Sequence, residues 1–469
     1  MNFKSISYFL SLFCFPISFL SFINILYSSY FDYFLSIDSY FTTLLVSLII
    51  GISLLHYGKS SQKKINYIEQ LFLIVAVYFL TAFLISIPFY LSNNQVTFLN
   101  SFFESISGLT GTGFSIFKNI KYLDPTLILW RSSSQWIGGL YFLFFLILIF
   151  SSKKFNYKMI SLTHSTDSNY SSSEGVKNNI FKIFVYYCIL SFSIFFLFNI
   201  SGVRLFNSLN ISMTLISGGG FLPTNTLSSI IMTNFQKIIF ITSLLISMLN
   251  FYIIFNIFNK KVLINEHKED LYLLFLSMIL IALVCFNNNS TFDLIIGVVS
   301  SLSNSGLTLI KSGNLSLYFL FITIIGGSLI SNTSGIKLAR FYILLKIASS
   351  EILRLISPNS VINKTIFNSD KKITDDNVKI SFLIFISFFL SLFILSSFLV
   401  LDNIGFEKSF KLSILTLTNT VNSELFNMEN LNFGNLLTSS KISLIIFMII
   451  GRIELISVFL IFKKLLFKD

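Results

Sequence analysis

Charge is scarce in this chain: of 469 residues only 12% are Asp, Glu, Lys or Arg, while 54% are hydrophobic. A soluble domain carries about one-quarter charged residues, so the composition excludes an ordinary water-soluble fold. Cysteine is nearly absent too. Cys14, Cys188 and Cys285 lie far apart in apolar surroundings with no CxxC spacing, which argues against a disulfide framework or a zinc site. The three histidines, His56, His164 and His267, are solitary. No HExxH, paired metal-ligand cluster or Ser/His/Asp grouping can be drawn from them, so neither a transition-metal site nor catalysis is expected. There is also no strand–GxGxxG–helix unit, and hence no nucleotide-binding domain within the chain.

What the chain has is apolar runs of about 20 residues, the length that crosses hydrocarbon. They fall at about residues 6–30, 39–57, 70–91, 127–150, 180–200, 236–258, 270–286, 315–349, 380–401 and 441–462, the eighth interrupted. The first run follows a basic residue like a secretory signal but lacks a small-residue cleavage site, so it reads as a retained helix. Basic residues collect on one side of these runs: Lys59, Lys63 and Lys64; Lys153, Lys154 and Lys158; Lys260, Lys261 and Lys268; Lys346, Arg354, Lys364, Lys371 and Lys372; Lys463, Lys464 and Lys468. Positive charge marks the cytoplasmic face, and both termini join it. That asymmetry accounts for the net charge of +12 without nucleic acid as a partner.

The segments on the other side repeat. "VTFLNSFFESISGLTGTGFSIF", "VRLFNSLNISMTLISGGGFLPTN", "STFDLIIGVVSSLSNSGLTLI" and "FEKSFKLSILTLTNTVNSELF" each open with an amphipathic stretch too short to span, then break at small uncharged residues. The expectation is an all-α polytopic membrane protein with four pseudo-repeats of helix, re-entrant helix with loop, helix. Two helices (1–66) precede repeats at 67–158, 176–262, 266–356 and 376–469, the third with its second helix interrupted.

Irregular backbone at membrane depth survives only inside protein or along a watery cavity. Four such breaks invite a ring in which backbone carbonyls replace an ion's hydration shell. Aligning them sets Thr110, Gly111, Thr112 and Gly113 beside Ile216, Ser217, Gly218 and Gly219; Ser303, Asn304, Ser305 and Gly306; and Thr418, Asn419, Thr420 and Val421. Val421 stands where a fourth glycine is expected. Ordinary exposed turns are the rival reading, but plain turns would not need the preceding amphipathic stretch.

With "LWRSSSQWIGGL" (129–140), "GGSLISNTSGIKLARFYILLK" (326–346) and "MIIGRIELISVFLIF" (448–462), these loops resemble the Trk/Ktr/HKT superfamily of potassium uptake proteins. The resemblance is to the bacterial Trk-type membrane subunit and covers about residues 70–465. It implies K+ uptake, with Na+ passage open, through a gated pore in the inner membrane. It further implies a homodimer among membrane lipids and a separate cytoplasmic nucleotide-binding regulatory subunit. An alternating-access cation transporter is the alternative function, since it shares broken helices.

In the family the segment containing Gly326, Gly327, Ser331, Thr333 and Gly335 is the gate; the residues themselves, poor helix formers, already predict a break. Lys337 and Arg340 share a helix face and read either as gate residues or as a pair snorkelling to the cytoplasmic interface. Arg452 lies eleven residues from both Lys441 and Lys463, about 16 Å from each end of its helix. A charge there marks function. It is either an ion-paired structural residue or, as the resemblance implies, an electrostatic barrier at the gate. Glu454, two residues on, cannot face it. Arg131 is expected at the outer mouth with its head in water, Trp130 and Trp136 in the interfacial belt. By resemblance Gln135, Gly138 and Gly139 pack around the first loop. Glu104 and Asp293 are read as mouth acids that concentrate cations or as plain helix-start acids.

Overall fold

The computed structural model describes every residue except 1, 32–33, 62–64, 93, 95, 151–172, 252, 254–266, 287–290, 312, 358–363, 368–371, 429–430 and 454–469. The basic residues at 63–64, 153–158, 260–261, 371 and 463–468, and Glu454, therefore lie outside the described residues.

Among the described residues the regular structure is helical, apart from an isolated antiparallel bridge between Thr365 and Lys372. A hairpin of α1 (Phe3–Tyr30) and α2 (Phe34–Gly58) comes first. Then a long helix, a short helix, a loop and a second helix recur four times. The order is α3 (Tyr67–Leu91), α4 (Phe98–Thr110), α5 (Pro125–Phe150); α6 (Ser173–Ile200), α7 (Leu205–Ile216), α8 (Asn234–Met248); α9 (Lys268–Cys285), α10 (Thr291–Leu302), α11 (Ser316–Ile325) continued by α12 (Leu338–Ile356); and α13 (Asp375–Leu401), α14 (Phe406–Leu417), α15 (Thr438–Ile453). Five described helices are long and apolar enough to cross a bilayer unaided: Phe3–Tyr30, Ile37–Gly58, Ile68–Leu91, Ile180–Ile200 and Asp375–Leu401.

The short helices, α4 with 13 residues and α7, α10 and α14 with 12 each, are about 18–20 Å long, too short to traverse hydrocarbon. They tolerate their many hydroxyl residues because each Ser or Thr can return a hydrogen bond to its own helix. Ser105 donates to Ser101 O at 2.7 Å, Ser301 to Gly297 O at 2.8 Å and Ser413 to Ser409 O at 2.7 Å.

Each short helix leans on the closing helix of the preceding repeat. α7 packs on α5, α10 on α8 and α14 on α11, while α4 packs on α15 and closes the ring. Backbones meet where glycine removes the side chain. A Cβ at Gly138 of α5 would stand 2.1 Å from Leu109 O at the end of α4, and one at Gly451 of α15 would stand 2.4 Å from Leu417 O at the end of α14. The sixth span breaks after Met248, at 249–250, and is helical again at Phe251 and Ile253, with 254–258 outside the described residues; the break lies against the loop between α11 and α12.

Candidate functional site

The four short helices end alike. One or two residues past each end the backbone turns left-handed, at Gly111 (φ 78°), Gly218 (φ 66°), Asn304 (φ 58°) and Asn419 (φ 50°). Glycine reaches this region freely, and Asn is the side-chain-bearing residue most at ease there. These residues donate to carbonyls three back: Gly111 to Gly108 (2.9 Å), Gly218 to Leu215 (3.1 Å), Asn304 to Ser301 (3.2 Å) and Asn419 to Thr416 (3.3 Å). The next residue reaches five back, as Gly219 to Thr214, Ser305 to Ser300 and Thr420 to Leu415 show.

This pattern corrects the alignment of the second loop by one residue. The level set is 110–113, 217–220, 303–306 and 418–421, so Ile216 is the last residue of α7 and Gly220, missed in the sequence reading, takes the position assigned to Gly219. A run of three glycines leaves the register open until hydrogen bonds fix it. The outermost ring is therefore Gly113, Gly220, Gly306 and Val421. A Cβ on Gly113 would lie 2.8 Å from Gly220 Cα, and one on Gly220 would lie 2.4 Å from Val421 Cβ. One on Gly306 would lie 2.8 Å from Val421 O. Val421, 8% exposed, thus fills space that the three glycines leave open, and Ser423 Oγ donates to Gly306 O at 2.7 Å. Below this ring, hydroxyl pairs brace three of the loops: Thr110 with Thr112 (2.7 Å), Thr418 with Thr420 (2.9 Å) and Ser303 with Ser305 (3.3 Å).

On one side of the ring opens a vestibule of about 650 Å³, lined by Ser115, Lys118, Asn225, Thr308, Asn422 and Glu424 among others. The expected acid at the mouth is elsewhere. Glu104 is buried, with Oε1 accepting from Arg131 Nε at 2.8 Å and Oε2 from the Ile116 N–H at 2.8 Å. Arg131 lines the vestibule, but its head does not stand free in water. It is 1% exposed, donates also to Ser115 Oγ at 3.0 Å and lies 4.1 Å from the Phe221 ring centroid. The pair fastens the descending limb of the first loop. Asp293 is partly exposed and pairs with Lys237 at 2.6 Å. Trp130 is buried in the core, its Nε1 donating to Ile85 O at 3.0 Å, and so does not face an interface; Trp136 is partly buried and donates to Ser191 Oγ at 2.9 Å. Gly138 abuts the first loop as expected, but Gly139 and Gln135 serve the second: a Cβ at Gly139 would meet Ser217, and Gln135 Oε1 accepts from the Phe221 N–H at 3.1 Å.

On the other side of the ring residues 326–337 cross between α11 and α12 without helix. Ile336 N donates back to Ile324 O (3.0 Å), Leu338 N to Gly327 O (3.1 Å) and Gly327 N to Thr333 Oγ1 (3.0 Å), folding the segment into a compact loop. The loop also takes the last carbonyls of α8: Ser328 N donates to Met248 O at 3.0 Å and Asn332 N to Ser247 O at 3.3 Å. That is why the helix breaks after Met248. Lys337 does not snorkel. It is 2% exposed, sits at φ 75°, and its Nζ donates to Ser331 Oγ (3.2 Å), Thr333 Oγ1 (3.0 Å) and the carbonyls of both. Arg340 is buried too, at 1%.

This loop is bonded to the ring. Asn332, absent from the predicted site, donates through Nδ2 to Ile216 O at 2.7 Å; Ser334 Oγ donates to Asn419 Oδ1 at 2.9 Å; and Asn419 Nδ2 donates to Thr112 Oγ1 at 3.0 Å and Met448 O at 2.9 Å. Arg452, 2% exposed, ties in from α15. Its Nη1 donates to Asn332 O (2.8 Å) and Ser334 Oγ (3.3 Å), and its guanidinium lies 4.2 Å from the Phe142 centroid. Among the described residues no carboxylate pairs with it, which leaves its positive charge beside the loop.

No protein-family model matches the chain. It is 28% identical to a Methanocaldococcus jannaschii protein described as an uncharacterized cation transporter, over 83% of this chain and 81% of that one. It is 23% identical to the Trk system potassium uptake protein TrkG of Escherichia coli, over 91% of each. The crystal structure of the potassium transporter TrkH from Vibrio parahaemolyticus superimposes with a TM-score of 0.87 at 21% identity, covering 98% of each chain. The expected resemblance to Trk-type membrane subunits stands, and the fold is that of TrkH.

Proposed function

We propose, from the four level loops and from relatives named as potassium uptake proteins, that this chain carries K+ across a membrane through one pore lined by backbone carbonyls. It is an ion-conducting protein, not an enzyme. The observation that carries the reading is the ring itself: four helix ends that each turn left-handed on a bond to the carbonyl three residues back and bring residues 113, 220, 306 and 421 to one level.

An entering ion loses water to the carbonyls of 110–113, 217–220, 303–306 and 418–421. Carbonyl dipoles replace the hydration shell without a net protein charge that would hold the ion too tightly to leave. Four short helices point their C-terminal ends at the loops, and the negative end of each helix dipole favours a cation there. Below the ring the ion meets loop 326–337, held by Lys337 and Arg452. Two cations beside a segment that crosses the path form a barrier of charge as well as of bulk. Passage requires the loop to leave. The bonds from Asn332 to Ile216 O and from Ser334 to Asn419 link that departure to the ring.

Val421 makes the outermost ring asymmetric, three glycines facing one isopropyl group, and this departure opens the pore to Na+ alongside K+. In the same reading the vestibule faces outward, both termini are cytoplasmic and the protein lies in a bacterial inner membrane. Two copies associate, and a separate cytoplasmic nucleotide-binding subunit controls the loop.

The test is uptake of Rb+ and Na+ into liposomes holding the purified protein. Rb+ uptake that external K+ competes away is the expected result. Flux that saturates with Na+ gradient and vanishes without one would replace the pore with a coupled transporter.

A further inference from the structure

The loop that blocks the pore is gripped from a third direction. α9 opens with two adjacent acids, and neither meets water: Glu269 is 2% and Asp270 1% exposed, with His267 at 7% beside them. Two neighbouring carboxylates are costly to bury unless strong donors hold them. The donors here are backbone N–H groups from two other segments. Asp270 Oδ1 accepts from Asn250 at 2.8 Å, just past the end of α8, while its Oδ2 lies 3.4 Å from His267 Nδ1. Glu269 Oε1 accepts from the Leu329 N–H at 3.0 Å, inside the blocking loop. The same side chain faces the charge of Lys337.

Leu329 lies near the start of the loop and Lys337 at its end, so one side chain is bonded to the first limb and faces the charge that braces the second. Lys337 braces the loop from within, and Glu269 fixes its first limb from outside.

We propose that Glu269 is the latch of the gate: a positioning residue, out of the ion path, whose carboxylate holds loop 326–337 in the blocking position and whose release frees the loop. The inference rests on the pore reading and deepens it. Asp270 anchors α8 rather than the loop, so the latch resides in Glu269 and not in acidity at this turn generally.

The experiment compares Glu269→Ala, Glu269→Gln and Glu269→Asp with Asp270→Asn, by Rb+ uptake into proteoliposomes and by hydrogen exchange of the amides of 326–339. Glu269→Ala is expected to raise uptake about tenfold, the lower end of what leaving a buried N–H without its acceptor gives. Glu269→Gln keeps an acceptor and should fall between; Glu269→Asp should restore the wild-type rate; Asp270→Asn should leave exchange at Leu329 unchanged. Exchange at Leu329 should accelerate in the order of the fluxes. Unaltered exchange at Leu329 in folded Glu269→Ala overturns the latch, as does faster exchange with lower uptake. If no variant, nor the wild type, carries Rb+, the pore reading fails, while the exchange data still decide whether Glu269 holds the loop.

Discussion

Removing one member of the Glu104–Arg131 pair should cost more than removing both. The two side chains are 0% and 1% exposed and their bond is 2.8 Å. At an effective dielectric of about 20, charges at that separation attract by about 6 kcal/mol, most of which offsets the cost of taking both from water. A variant that keeps Arg131 and loses the carboxylate, Glu104→Gln, leaves a guanidinium buried between the Phe221 and Phe117 rings and strips a charged acceptor from the Ile116 N–H. The expected loss is about 3–5 kcal/mol. Arg131→Met alone leaves a bare carboxylate of similar cost. The double variant Glu104→Gln/Arg131→Met restores an uncharged interior and should recover at least half of either loss. The assay is thermal unfolding of the detergent-solubilised protein followed by retention of the folded species, with Rb+ uptake measured in parallel. Either single variant unfolding no earlier than the double would refute the reasoning, because it would mean that the buried charge is solvated by something other than its partner. Uptake should fall in both single variants, since Ser115 and Ile116 lose their anchor.

At the outermost ring Gly220→Ala should abolish uptake, because its Cβ would stand 2.4 Å from Val421 Cβ; adding Val421→Gly should restore it, and an unrescued double variant would disprove the contact. Val421→Gly alone should raise the Rb+ to Na+ uptake ratio several-fold, and an unchanged ratio would show that the isopropyl group is neutral in selection. Gly138→Ala meets Leu109 O at 2.1 Å whereas Gly405→Ala meets nothing within 4 Å, so the first should destabilise by about 1–3 kcal/mol or more and the second should leave the unfolding temperature unmoved. Asp402 accepts from Ser439 and Ser440 at the start of α15, and those bonds hold its carboxyl below the ordinary carboxylate value. A depressed value means stability present at neutral pH and lost as pH falls below about 4; Asp402→Asn should therefore flatten the acid limb of an unfolding-versus-pH curve slightly, and an identical limb would contradict it.

The spans and the four breaks were legible because both are written in composition. Long apolar runs can only be buried or lipid-facing, and Gly, Asn, Ser and Thr at the end of a short amphipathic stretch stop a helix wherever it lies. Position within the bundle was legible only where a local rule applied. Arg452 was placed at membrane depth by counting residues, and the structure puts it against Asn332 and Ser334. Arg131 was placed at the mouth and does line the vestibule; what the sequence hid is its partner, 27 residues away and in another helix. The break after Met248 had no sequence signal at all, since what causes it is a loop some 80 residues later that takes the last carbonyls of α8. The same holds for Glu269, whose first-turn position reads as an ordinary helix-start acid until the fold brings Leu329 to it.

The closure of the ring by α4 against α15 carries a consequence for how the protein is made. Membrane helices leave the ribosome in order, and a chain emerging at about 5–20 residues per second releases α4 well before α15 exists. The other three short helices meet the wall they lean on as soon as they arrive, because α5, α8 and α11 precede them. The first loop alone must wait in the bilayer with its outer support missing until the last helix is inserted. Pore assembly is thus a terminal event, and any lesion that halts synthesis or insertion within α15 leaves the earliest-made quarter of the ring, and not only the last, without its wall.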